Sequence, residues 1–78
     1  MTPQMPRVTA AQVIRVLNKL GFSLSRQSGS HKIYRNASGN RVTVPFHTVK
    51  ILHPKVLRNI LDDAGLTLEE FTRLLKDS

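Results

Sequence analysis

The fold is decided by residues 22–45, FSLSRQSGSHKIYRNASGNRVTVP, in which three stretches of strand-forming residues are separated by two turns. In the first stretch Phe22, Leu24 and Arg26 alternate with short or polar residues, a period of two that predicts a half-buried strand. Gly29 ends it, and the turn-forming residues 36–40 separate the next two stretches. The sequence therefore predicts an antiparallel meander of three strands, at residues 22–27, 31–35 and 41–44.

Helical patterns lie on both sides of this meander. Thr9 is a predicted cap for a first helix over residues 10–20, where apolar residues recur at helical spacing before Gly21. Pro54 suits the first turn of a second helix that Gly65 closes. Thr67 opens a short final helix. We expect one α+β domain over residues 1–78, with two helices on one face of the sheet, the other face open to solvent, and residues 1–8 flexible.

The charge is unevenly distributed along the chain. The net charge is +7, yet all five acidic residues occur at residue 62 or later, while residues 1–61 carry ten Lys or Arg. A block of uncompensated cations is typical of a surface that binds a polyanion, because binding releases the counterions of phosphates. Nucleic acid is the expected partner, and a solvated basic face and anionic lipid are the alternatives.

The features that the sequence lacks predict where the protein is located and whether it needs a cofactor. It has no cysteine, and residues 1–7 contain no apolar run of the kind found in a secretion signal. No stretch has the roughly 18 apolar residues of a membrane span. The three histidines are 16 and six residues apart, which matches no common metal-ligand pattern. We expect a cytoplasmic protein with no membrane association, no metal and no cofactor.

His31 is the strongest candidate for chemistry. An imidazole can both take and give a proton near neutral pH, and His31 follows Gly29 and Ser30 at the start of the second predicted strand. Cutting RNA without metal requires a base for the 2′-hydroxyl, an acid for the leaving oxygen and cations for the phosphorane. From the residues alone, His31 is either such a catalyst or an exposed histidine that binds a phosphate or water.

Further residues are predicted to bind RNA around His31. Positive side chains next to His31 in sequence, or across the hairpin, would form a phosphate cradle. Residues 31, 33 and 35 form one face of the second strand, and residues 32 and 34 form the other. An aromatic ring at a sheet edge can stack on bases, and core packing is at least as good an account of Phe46. His53 is expected to cap the second helix. The predicted RNA-binding residues are Arg26, Ser30, Lys32, Tyr34, Arg35 and His47. His47 is either a second acid–base group at the same edge or a turn residue after Pro45.

Several short motifs follow one another along the chain. They are Gly21-Phe22, the run RQSGSHKIYR at 26–35, VTVPFH at 42–47, LRNIL at 57–61, AGL at 64–66 and EEF at 69–71. Together these motifs resemble the HicA toxin family. The resemblance covers residues 9–75. Each motif is weak alone, but their order and spacing are specific.

The resemblance implies a fold like that of the double-stranded-RNA-binding domain and an mRNA interferase activity. It assigns catalysis to the histidine of the Gly-Ser-His element, which is His31, and it implies a HicB-type antitoxin as the partner. One departure is that Lys55-Val56 stands where the family usually has Gly-Thr at the start of the second helix. The leading hypothesis is a metal-independent endoribonuclease toxin that cuts mRNA. The alternatives are a non-catalytic RNA-binding module and a pure protein-interaction domain.

Overall fold

A computed structural model describes residues 5–46 and 50–77 of the chain. The predicted order of helix, three strands and two helices is confirmed. The elements are α1 (Ala10–Lys19), β1 (Ser23–Ser28), β2 (His31–Arg35), β3 (Arg41–Pro45), α2 (Pro54–Ala64) and α3 (Leu68–Lys76).

The helix ends follow the predicted capping residues. The Thr9 hydroxyl accepts from the Gln12 amide, and the Gln12 side chain accepts from the Thr9 amide in return, which closes a capping box. His53 Nδ1 accepts from the Lys55 amide at 3.1 Å, as predicted for a cap at the start of α2. Gly65 ends α2 with a φ of 72°, a left-handed conformation that glycine adopts at little cost. Thr67 and Glu70 form a second capping box at α3.

The three strands form an antiparallel sheet in the order β1-β2-β3. Residues 29–30 are a two-residue loop between β1 and β2. Gly29 has a φ of 59°, and among the described residues only glycines have a positive φ, so Ser30 does not. A positive φ at only the first loop position is typical of a type II′ turn, whose twist suits a hairpin.

The core lies between one face of the sheet and the helices. Tyr34, Val42 and Val44 point into it from the sheet, and both α1 and α2 contact β3. The α3 helix packs on α1 and contributes Phe71, which is fully buried. The other buried members of this cluster are Val8, Ala10, Val13, Val16, Leu17, Phe22, Leu52, Leu57, Ile60 and Leu61.

One expectation fails at the margin of this core. Every residue of β1 is exposed, including Leu24 at 50%, so the prediction of a half-buried first strand is wrong. The pairing register shifts between Leu24 and Arg26, and such a bulge interrupts the alternation that the sequence suggests. Val8 is buried, and its carbonyl accepts from the Leu52 amide at 2.8 Å. Val8 is therefore part of the core.

Candidate nucleic-acid interface

The face of the sheet that carries no helix presents His31. Because side chains alternate along a strand and Tyr34 points into the core, His31, Ile33 and Arg35 point outward. Cross-strand partners share a face, so the pairing register defines three rows across this outer face. The rows are Ser28, His31 and Pro45; Arg26, Ile33 and Thr43; and Ser23, Arg35 and Arg41.

His31 is the first residue of β2 and is exposed. Its position is fixed by the tight turn before it and by β3 beside it. The Gln27 side-chain amide donates to the Gly29 carbonyl at 3.2 Å, and the Phe46 amide donates to the Ser30 carbonyl at 2.6 Å. A Cβ added at Gly29 would meet no atom within 4 Å. The backbone beside His31 is therefore held in place, and the space next to Gly29 is open.

Arg26 is the cation that the register brings nearest to His31 on this face. It pairs with Ile33 on β2, which makes Arg26 and His31 diagonal neighbours with Cα atoms about 7–8 Å apart. An arginine side chain covers that distance easily, and its planar fork can donate two hydrogen bonds to a phosphate. The structure thus agrees with the expectation that Arg26 lies across the hairpin from His31.

Lys32 lies on the opposite face of the sheet from His31. It pairs with Val44, which is fully buried, and its Nζ is 4.0 Å from the centre of the Phe46 ring. A cation over an aromatic face is held there by the ring quadrupole. Lys32 therefore does not share a face with His31, as the alternation of the strand indicates, and its contact with RNA stays a prediction.

Arg35 shares the outer face with His31 but is distant from it. Arg35 is four positions along the strand from His31, about 13 Å at the usual rise, so it does not flank His31 as expected. Its cross-strand partner is Arg41, another exposed arginine. The sequence analysis missed Arg41, and only the pairing register across residues 36–40 could have found it.

Tyr34 is buried rather than presented at the sheet edge, where a base could stack on it. It is 5% exposed and packs among the core residues, and burial raises the pKa of its hydroxyl above 10.0. Phe46 is partly buried and packs against the core. Ser30 is exposed in the turn before His31, while His47, the remaining predicted contact, lies outside the described residues.

The electrostatics of this face are one-sided. The outer face carries Arg26, Arg35 and Arg41, and the sequence has no acidic residue before position 62. Charge of one sign on a surface attracts ligands of the opposite sign. Within residues 5–46 and 50–77, no three His, Cys, Asp or Glu side chains are grouped so as to hold a metal ion, and no helix there has the length and hydropathy to cross a membrane.

Comparison with known proteins identifies the family. The comparison with curated proteins gave no match. A family model described as HicA toxin of bacterial toxin-antitoxin matches residues 10–66, which extend from the first residue of α1 to just beyond α2 and include the whole sheet with His31. The family context includes an antitoxin partner. The chain therefore belongs to the HicA toxin family, the toxins of bacterial toxin–antitoxin pairs.

Proposed function

We propose that this chain is an endoribonuclease that cuts mRNA without a metal ion and so blocks translation. One observation carries the proposal: an exposed imidazole at the end of an open sheet face that is lined by arginine and free of carboxylates. RNA is the polyanion that offers a nucleophile of its own, the 2′-hydroxyl next to each phosphate.

His31 serves this reaction as general acid or general base. A positioned imidazole that transfers a proton in the transition state accelerates such reactions by about 10²–10⁴-fold. Arg26 stabilises the charge that develops on the phosphorane oxygens, as fixed cations do in phosphoryl transfer. The open space at Gly29 lets the phosphate approach the backbone beside His31.

The partners follow from the same surface. We propose that a HicB-type antitoxin blocks the activity by covering the outer face, and that the toxin acts in the cytoplasm, where mRNA is translated. An acidic or polar surface on the antitoxin would complement the three arginines of this face.

A non-catalytic RNA-binding module remains the second candidate. It is favoured by the single imidazole among the outer-face residues that the structure describes, since complete acid–base catalysis needs two proton transfers. Both candidates require RNA to bind the outer face, but only the nuclease requires an ionisable group at position 31.

A matched pair of histidine variants tests the proposal. His31→Asn and His53→Asn each remove one exposed imidazole, and asparagine preserves the cap at position 53. Each protein is incubated with a single-stranded RNA in EDTA, and both cleavage and binding are measured. We expect His31→Asn to bind RNA normally and cut it at least 100-fold more slowly, and His53→Asn to cut like the wild type. If the wild type binds but none of the proteins cuts, the binding module replaces the nuclease.

A further inference from the structure

The far end of the outer face carries two arginines directly opposite each other. Arg35 and Arg41 are cross-strand partners on β2 and β3, and both are exposed. Their Cα atoms are about 4.5–5.5 Å apart, a distance at which like charges destabilise a sheet. Ser23 completes the row from β1, so no carboxylate in the row compensates the two charges.

The adjoining turn holds this pair in register. The Asn36 amide donates to the Asn40 carbonyl at 3.2 Å, and the Asn40 amide donates to the Asn36 side chain at 2.9 Å. The Gly39 amide donates to the Asn36 carbonyl at 3.1 Å. The two guanidinium groups are therefore presented by a locked hairpin and share one side of the sheet.

Ile33 lies between this pair and His31. It is only partly buried, because no helix covers this face. It occupies the middle row of the central strand. Along β2 the outer face thus runs from an imidazole to an apolar side chain and then to a cation, over about 13 Å. A nucleic acid strand has the complementary order, since its phosphates alternate with less polar sugars and bases.

We propose that Arg35 and Arg41 together bind a second phosphate of the same RNA strand whose scissile phosphate lies at His31. Ile33 contacts the sugar or base between the two phosphates. This inference rests on the proposed nuclease function and adds to it a requirement for substrate length: an RNA too short to reach the arginine pair binds without its help.

The pair is assigned to RNA rather than to an acidic protein because it continues the face that holds His31. The antitoxin proposed above would meet the same arginines, but the order of imidazole, apolar side chain and cation along β2 matches the order of groups along an RNA strand. An acidic partner remains a distinct outcome of the experiment below.

The test compares Arg41→Ala with Arg15→Ala, which removes the same charge from an exposed position on α1, the helix behind the other face. Binding and cleavage are measured for a dinucleotide and for a ten-nucleotide RNA over a range of salt concentrations. On the longer RNA we expect Arg41→Ala to bind about ten-fold more weakly, with a salt dependence reduced by about one phosphate. On the dinucleotide we expect no difference from the wild type, and Arg41→Lys should recover part of the binding.

Two results would overturn the inference. One is that Arg41→Ala binds the longer RNA as the wild type does. If the variant then loses only antitoxin binding, the pair belongs to the protein partner. The other is that Arg15→Ala weakens RNA binding as much as Arg41→Ala. The binding measurements decide the matter even if the wild type does not cut RNA, so failure of the nuclease proposal is distinguishable from failure of the second phosphate site.

Discussion

Replacing Gly29 with alanine tests whether the turn before His31 depends on a positive φ. Gly29 is the first residue of the β1–β2 loop and has a φ of 59°. An L-alanine there has no steric contact to relieve, because its Cβ would meet nothing within 4 Å. Any loss of stability therefore comes from the backbone conformation alone.

The expected loss is about 1–2 kcal/mol. A non-glycine residue in a sparsely populated conformation costs about 1–3 kcal/mol, and the lower entropy of the unfolded alanine chain offsets about 0.4–1 kcal/mol of that. For a chain of this size, urea lowers the free energy of unfolding by about 1 kcal/mol per molar. The urea midpoint should thus fall by about 1–2 M.

The assay is urea unfolding followed by circular dichroism, with three comparisons. D-alanine at position 29, introduced by chemical synthesis, prefers a positive φ and should restore the midpoint to the wild-type value or above. Gly65→Ala at the end of α2, where φ is 72°, should lose about 1 kcal/mol while the folded protein still cuts RNA at the wild-type rate. If L-alanine and D-alanine at position 29 lower stability equally, our account of the turn is refuted.

Three further predictions concern buried and capping groups. Tyr34 is the sole tyrosine, and there is no tryptophan, so absorbance at 295 nm reports its ionisation. We expect a pKa above 10 in the folded protein and near 10 in urea, with stability falling as the pH rises above 10. Hydrogen bonds from Thr67 hold the pKa of Glu70 below 4.5. Wild-type stability should therefore fall as the pH drops below that value through the folded pKa. Glu70→Gln should lose this dependence. Urea midpoints measured from pH 6 to 2.5 test both expectations. Phe71→Ala should cost about 3–5 kcal/mol in thermal or urea unfolding, since the ring is fully buried. A loss below 1 kcal/mol would contradict its place in the core.

The fold was largely predictable because its determinants are local. Thr9, Pro54 and Gly65 mark helix ends through their own backbone and side-chain chemistry. The meander followed from turn residues between short alternating stretches. The exposure of β1 was not predictable, because it depends on its being an edge strand with a bulge after Leu24.

The candidate site was predictable only in part. His31 was chosen for the proton chemistry of imidazole and its place after Gly29 and Ser30, and Arg26 for its place across the predicted hairpin. The alternation of the strand put Lys32 on the face opposite His31, although the predicted cradle grouped the two residues. Arg41 was missed because the pairing across residues 36–40 is set by the hydrogen bonds of Asn36, which the turn composition does not specify.

The most direct test of the central claim is to identify the ends of the RNA that the protein produces in EDTA. Attack by the 2′-hydroxyl, with His31 transferring a proton, leaves a 2′,3′-cyclic phosphate on one product and a 5′-hydroxyl on the other. We predict these ends for the wild type and no products from His31→Asn over the same time. Products with a 5′-phosphate and a 3′-hydroxyl, or equal cleavage by His31→Asn, would contradict the account.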